Sequence, residues 1–196
     1  MTRIHSPFAT PEHLPRSPVE TSMNLEEELL REHSRKHAEK IARWVGADSG
    51  RLKALMRLFL RGEFRTSQRA AWVVAIIAGQ HPELFHPYLK KMLSRMQEAG
   101  VHDAVKRSVV QILQDIEIPD DLLGATANLC FEQLSSAEAP IAVKCYSMTV
   151  LAHIAEREPE LGRELQLVIE QQLPYSSAGF RARARETLKA IQLLDS

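Results

Sequence analysis

Four segments of the chain carry apolar or small side chains at the same five helical offsets: Thr66/Ala70/Val73/Val74/Ile77, Val105/Val109/Ile112/Leu113/Ile116, Val143/Ser147/Val150/Leu151/Ile154 and Phe180/Ala184/Thr187/Leu188/Ile191. Their first residues lie 39, 38 and 37 residues apart. Offsets of this kind draw one stripe along an α-helix. A stripe that returns at a period of roughly 40 residues predicts stacked helical units, each burying its face only against its neighbours. The architecture is thereby narrowed to an all-α stack. The activity is not, because a stack is defined by what it buries and its partner is chosen by what it exposes.

Between the template segments lie helices of related spacing, Leu52/Met56/Phe59/Leu60, Phe85/Leu89/Met92/Leu93/Met96 and Leu161/Leu165/Val168/Ile169, with a less regular stretch from Leu122 to Leu134. Gly62, Gly100, Pro140 and the run Pro174 to Gly179 separate each such helix from the template helix after it. Pro82, Pro119 and Pro159 stand where the next helix begins, as proline does in a first turn. The reading is four helical hairpins, at about 50–80, 82–117, 120–157 and 159–194.

Ahead of the repeats, residues 1–23 hold Pro7, Pro11, Pro15 and Pro18 among scattered polar residues, and are expected to be a disordered tail. Met23 raises the alternative of a later translation start. Asn24 followed by Glu27 reads as a helix N-cap, and Glu26, Glu27 and Glu28 place negative charge at the favourable end of the dipole. A single helix is expected from residue 24 to Gly46, with Glu27/Arg31, Glu32/Lys36 and Glu39/Arg43 as exposed pairs. Its place before the repeat and its charged face suit a cap over the open end of the core.

The repeat is visible in identity too. Val73 to Leu84 reads VVAIIAGQHPEL and Val150 to Leu161 reads VLAHIAEREPEL, identical at seven of twelve positions. Ala104-Val105-Lys106 returns as Ala142-Val143-Lys144, and Phe180-Arg181 takes the same place in the last hairpin. In these features residues 50–194 resemble the HEAT-repeat class, whose second helix commonly opens with an apolar residue followed by a basic one. That resemblance implies a right-handed α-α superhelix of about four hairpins with the template helices lining its concave side. It says little about activity, because the class includes transport scaffolds, phosphatase subunits, lyase accessory proteins and DNA glycosylases.

The chain has 25 basic and 25 acidic residues in 196, so no long-range field gathers polyanions, and nucleic acid is not the favoured partner. No apolar run is long enough to span a bilayer and the N-terminus has no secretory pattern, from which a cytoplasmic protein without membrane contact is expected. Cys130 and Cys145 lie in apolar helical stretches and read as core thiols. His33 and His37 have the spacing of two metal ligands, but Arg35 and Lys36 between them oppose a cation. His81 and His86 belong to a turn. No phosphate loop or nucleophile elbow is present, so neither a catalytic residue nor a cofactor or metal is assigned. Ser177 or Ser176 reads as the N-cap of the last helix. Arg181, Arg183, Arg185 and Lys189 make that helix locally basic, which suits a solvated end cap or a phosphate contact.

On a wheel of about 100° per residue the five template offsets share one arc. The opposite arc carries Gln68, Trp72 and Ala75, then Arg107, Gln111 and Gln114, then Cys145 and Thr149, with Arg69, Asp115, Tyr146, His153 and Arg183 on its shoulder. If the template helices line the concave side, these form one mixed strip. Trp72 reads as packing against the N-terminal helix or as a binding anchor, since its helix is apolar all round. The expectation is a non-catalytic scaffold or adaptor that holds a protein or peptide segment at Trp72, Arg107, Gln111, Tyr146, Thr149 and Arg183. A structural subunit of a larger assembly has the same signature. The alternative is a HEAT-like DNA-binding protein or an alkylpurine DNA glycosylase, which the resemblance to HEAT-like enzymes would imply, with Asp115 as its carboxylate and Trp72 and Tyr146 as stacking rings.

Overall fold

The computed structural model describes residues 23–194, and there it shows ten α-helices and no strand. The tail expected at residues 1–23 lies, but for Met23, outside them. After two N-terminal helices, α1 (Leu25–Arg31) and α2 (Arg35–Val45), come four pairs: α3 (Ser49–Arg61) with α4 (Phe64–Ala78), α5 (Leu89–Met96) with α6 (Asp103–Gln114), α7 (Asp120–Ser135) with α8 (Ile141–Ala155), and α9 (Pro159–Gln172) with α10 (Ala178–Gln192). Helices α2, α4, α6, α8 and α10 pack successively side by side as one row, and α3, α5, α7 and α9 form the second row over it. This is a helical solenoid of two layers with the core between them.

The template residues make that core. All are buried except Leu188, which is half-buried on the terminal helix α10. From the other row Leu55, Phe59, Phe85, Leu89, Met92, Leu129, Leu165 and Ile169 meet them, each nearly or fully excluded from water. Helix ends follow the local chemistry. The Asn24, Ser34, Asp48 and Ser177 side chains accept from the backbone N–H three residues on, and His102 Nδ1 accepts from Ala104 N at 2.9 Å.

Three local readings need correction. The single helix expected over 24–46 is two helices, because Glu32 adopts an extended backbone and Ser34 caps a new start by accepting from His37 N at 3.1 Å. Of the expected pairs only Glu32/Lys36 spans the break. Within the two helices the partners also differ from those expected: Arg31 pairs with Glu28 at 2.9 Å and Arg35 with Glu39 at 2.9 Å. Glu28, buried, also receives Lys40 from α2 at 3.3 Å and so ties the two helices together. The helix expected to start at Pro82 instead opens as a 3-10 segment, Pro82–Tyr88, and becomes α-helical only at Leu89. Pro87 lacks the N–H that an α-helical ladder would need there.

Side-chain clamps fix the spacing between pairs. The buried Lys144 donates to Gln172 Oε1 at 2.9 Å, and Gln172 Nε2 donates to Leu134 O at 3.1 Å, linking α8, α9 and α7. Arg157, just beyond α8, donates to Ile118 O at 2.7 Å and pairs with Asp120. Between α9 and α10, Gly162 permits close approach: a β-carbon there would lie 2.8 Å from Ile191 Cγ2.

Candidate functional site

The strip read from the wheel falls on the four consecutive template helices. Trp72 on α4, Gln111 on α6 and Thr149 on α8 hold the same offset in their repeats, six residues beyond the first template residue, and all three are half-exposed. Arg107 is exposed on α6, and Tyr146 and Arg183 are half-exposed at equivalent positions of α8 and α10. Burying the template stripe against the second row leaves this arc as the one that meets solvent or neighbours.

Local contacts separate its members. Trp72 packs edge-on against His33, the ring centroids 5.2 Å apart, so the connection between α1 and α2 covers part of the indole. His33 belongs to that connection and His37 to α2, where its Nε2 donates to Glu28 O at 2.9 Å. The two histidines therefore do not share one helical face. Arg183 pairs with Glu186 at 3.1 Å and lies near Cys145, whose thiol burial pushes up while the guanidinium draws it partly back. Thr149 Oγ1 donates to Cys145 O at 3.3 Å, and Gln114 Nε2 to Gln111 O at 3.3 Å. Asp115 is exposed just past α6. It stands seven residues further along its repeat than Tyr146 does in its own, about 10 Å of helical rise, so these two are not on one level. Among the described residues no group of three His, Cys, Asp or Glu side chains is placed to hold a metal ion, and no helix is long and apolar enough to cross a membrane.

Cys130 is fully buried, and burial pushes its thiol up to about 12, with the nearby Ser147 hydroxyl drawing it only partly back. It is a packing residue.

A second surface was not singled out by the sequence reading. Between α3 and α5 of the outer row lies a cavity of about 760 Å³ whose floor includes Ala54, Met56, Leu60 and Tyr88. Six cations line it, Lys53, Arg57 and Arg61 from α3 and Lys90, Lys91 and Arg95 from α5, against one carboxylate, Glu98. Glu98 is already engaged by Arg95 at 2.5 Å and Arg61 at 3.8 Å. The signal in the sequence was the four-residue spacing of Lys53, Arg57 and Arg61, which aligns them on one helical face.

With two layers of paired helices and a buried repeating stripe established, comparison with known families agrees: the family model described as HEAT repeat domain matches residues 25–191. The chain belongs to this HEAT repeat family. The match begins at α1, earlier than the repeat identity visible in the sequence. No curated protein and no solved structure matches the chain significantly.

Proposed function

We propose that this HEAT repeat protein is a non-catalytic cytoplasmic scaffold that binds an extended protein segment along its template row, across α4, α6 and α8. The carrying observation is that Trp72, Gln111 and Thr149 hold equivalent positions on neighbouring helices and are half-exposed, while the stripe behind them is buried. Spacing between neighbouring helices, about 8 to 10 Å, suits a chain that crosses the row and offers a side chain or peptide group to each helix. Half-exposed amides at Gln111 and Gln114 read backbone groups, Arg107 contributes a planar guanidinium, and Tyr146 supplies rigid contact area at little entropic cost. Trp72, held by His33, forms the fixed edge, and Arg183 the far end.

Site-directed photo-crosslinking tests this. A photoreactive residue at Gln111 or Thr149 in the full chain should crosslink one partner peptide from the source lysate, and Arg107→Glu or Tyr146→Ala should remove the crosslink without changing helical circular dichroism. Crosslinking of that partner from Glu164 on the outer helix α9, and not from Gln111, would overturn the assignment.

A further inference from the structure

We infer that the groove between α3 and α5 is a second, independent binding surface, and that its occupant is an acidic amphipathic helix of a partner protein. This goes beyond the template-row reading, since α3 and α5 belong to the opposite layer.

The groove combines two chemistries that must be matched together. Its floor is apolar, from Ala54, Met56, Leu60 and the ring of Tyr88. Both walls are cationic. Lys53, Arg57 and Arg61 recur every four residues, so they form a row about 12 Å long on α3. Opposite stand Lys90 and Lys91 on α5. Lys53, Arg57, Lys90 and Lys91 have no carboxylate within ion-pair distance among the described residues, and all four are exposed. An occupant must therefore be apolar along a central ridge and negative on both flanks. A helix with Leu or Ile at i, i+3 and i+7 and Asp or Glu beside them has that cross-section, and helices bind grooves in this way. The phosphodiester backbone of nucleic acid would neutralise the walls but leave the apolar floor uncovered. Residues 1–22 of the chain are no match either, with two arginines against two glutamates.

The charges also predict the kinetics. Unpaired cations on both walls steer an acidic helix into the groove, and this contribution is screened as salt rises.

The test is a selection of random peptides of about 16 residues on the full-length protein, followed by fluorescence anisotropy with a synthetic copy of the enriched sequence. Expected are sequences with acidic and large apolar residues at helical spacing. Their affinity should fall about tenfold or more in the exposed pair Arg57→Glu/Lys91→Glu, and measurably in the gentler Lys53→Gln/Lys90→Gln, with unchanged circular dichroism. It should also fall between about 50 and about 300 mM salt. Arg107→Glu and Tyr146→Ala should leave it unchanged, which separates this surface from the template row. Four results would overturn the inference: no enrichment of acidic sequences, binding indifferent to both outer pairs, tighter binding of a duplex of about 20 base pairs than of the peptide, or self-association of the wild type that the outer pairs abolish.

Discussion

Leu151→Ala measures how much of the stack depends on its interior. Leu151 is fully buried on α8, which packs against α6, α7, α9 and α10. Truncation removes three carbons, a transfer loss of about 2.4 kcal/mol at roughly 0.8 per buried methylene. A site enclosed on every side relaxes little, and the residual cavity raises the cost to about 4 kcal/mol, inside the range of about 2.7 to 5 for such substitutions. Leu188 holds the same offset on α10, which has a template neighbour on one side only and leaves Leu188 half-buried. Leu188→Ala should accordingly cost about 1 to 2 kcal/mol. Urea unfolding followed by circular dichroism gives both values, and at about 2 to 4 °C per kcal/mol the melting temperatures should separate clearly. Equal losses at the two positions would refute the reasoning, because they would mean that α10 is covered as fully as α8 is.

Gly62→Ala should destabilise by roughly 1 to 3 kcal/mol, since its β-carbon would lie 2.4 Å from Leu58 O, whereas Gly124→Ala in α7, which meets nothing within 4 Å, should stabilise by about 0.5 to 1 kcal/mol; thermal melts decide both. For Cys130, the unfolded thiol ionises near 9.0 and the folded one only near 12, so the native state holds the extra proton and stability falls as pH rises through that window. Urea midpoints of wild type and Cys130→Ala should diverge in slope above pH 9, and parallel curves would count against it. Lys144 has the opposite sign: burial pushes its ammonium below the usual 10.5, so the unfolded state binds more protons and stability rises with pH through that interval, a rise that Lys144→Met should remove in the same assay.

The repeating stripe was legible because burial acts on every template helix in the same way. Thr66, Ser147 and Thr187 are small and polar, yet their offset alone placed them correctly in the core. Breaks were less legible. On one continuous helix at about 100° per residue Leu25 and Leu29 would face opposite to Ala38 and Ile41. That change of phase marks a break but not its residue, which the Ser34 side chain sets by accepting from a backbone N–H. The outer groove escaped for a different reason. A balance of 25 basic against 25 acidic residues averages over the whole surface, while Lys53, Arg57, Arg61, Lys90 and Lys91 are brought together only by the packing of α3 beside α5.

That groove adjoins a departure from the repeat. Helices α7 and α9 of the outer row run 16 and 14 residues, but α5 has eight. Pro87 withholds a backbone N–H, the preceding turns tighten into a 3-10 segment, and the chain reaches α-helical geometry only after Tyr88. From the end of this segment onward Tyr88, Lys90 and Lys91 line the groove, across from Lys53, Arg57 and Arg61 on α3. In a repeat architecture identical units bury identical faces, so surfaces that distinguish one member from another arise where a unit is cut short or kinked. The H-P-E-L-F-H-P segment is such a place: its prolines shorten the α-helical part of this unit, and the groove in which the six cations converge begins at the residue that follows it, Tyr88.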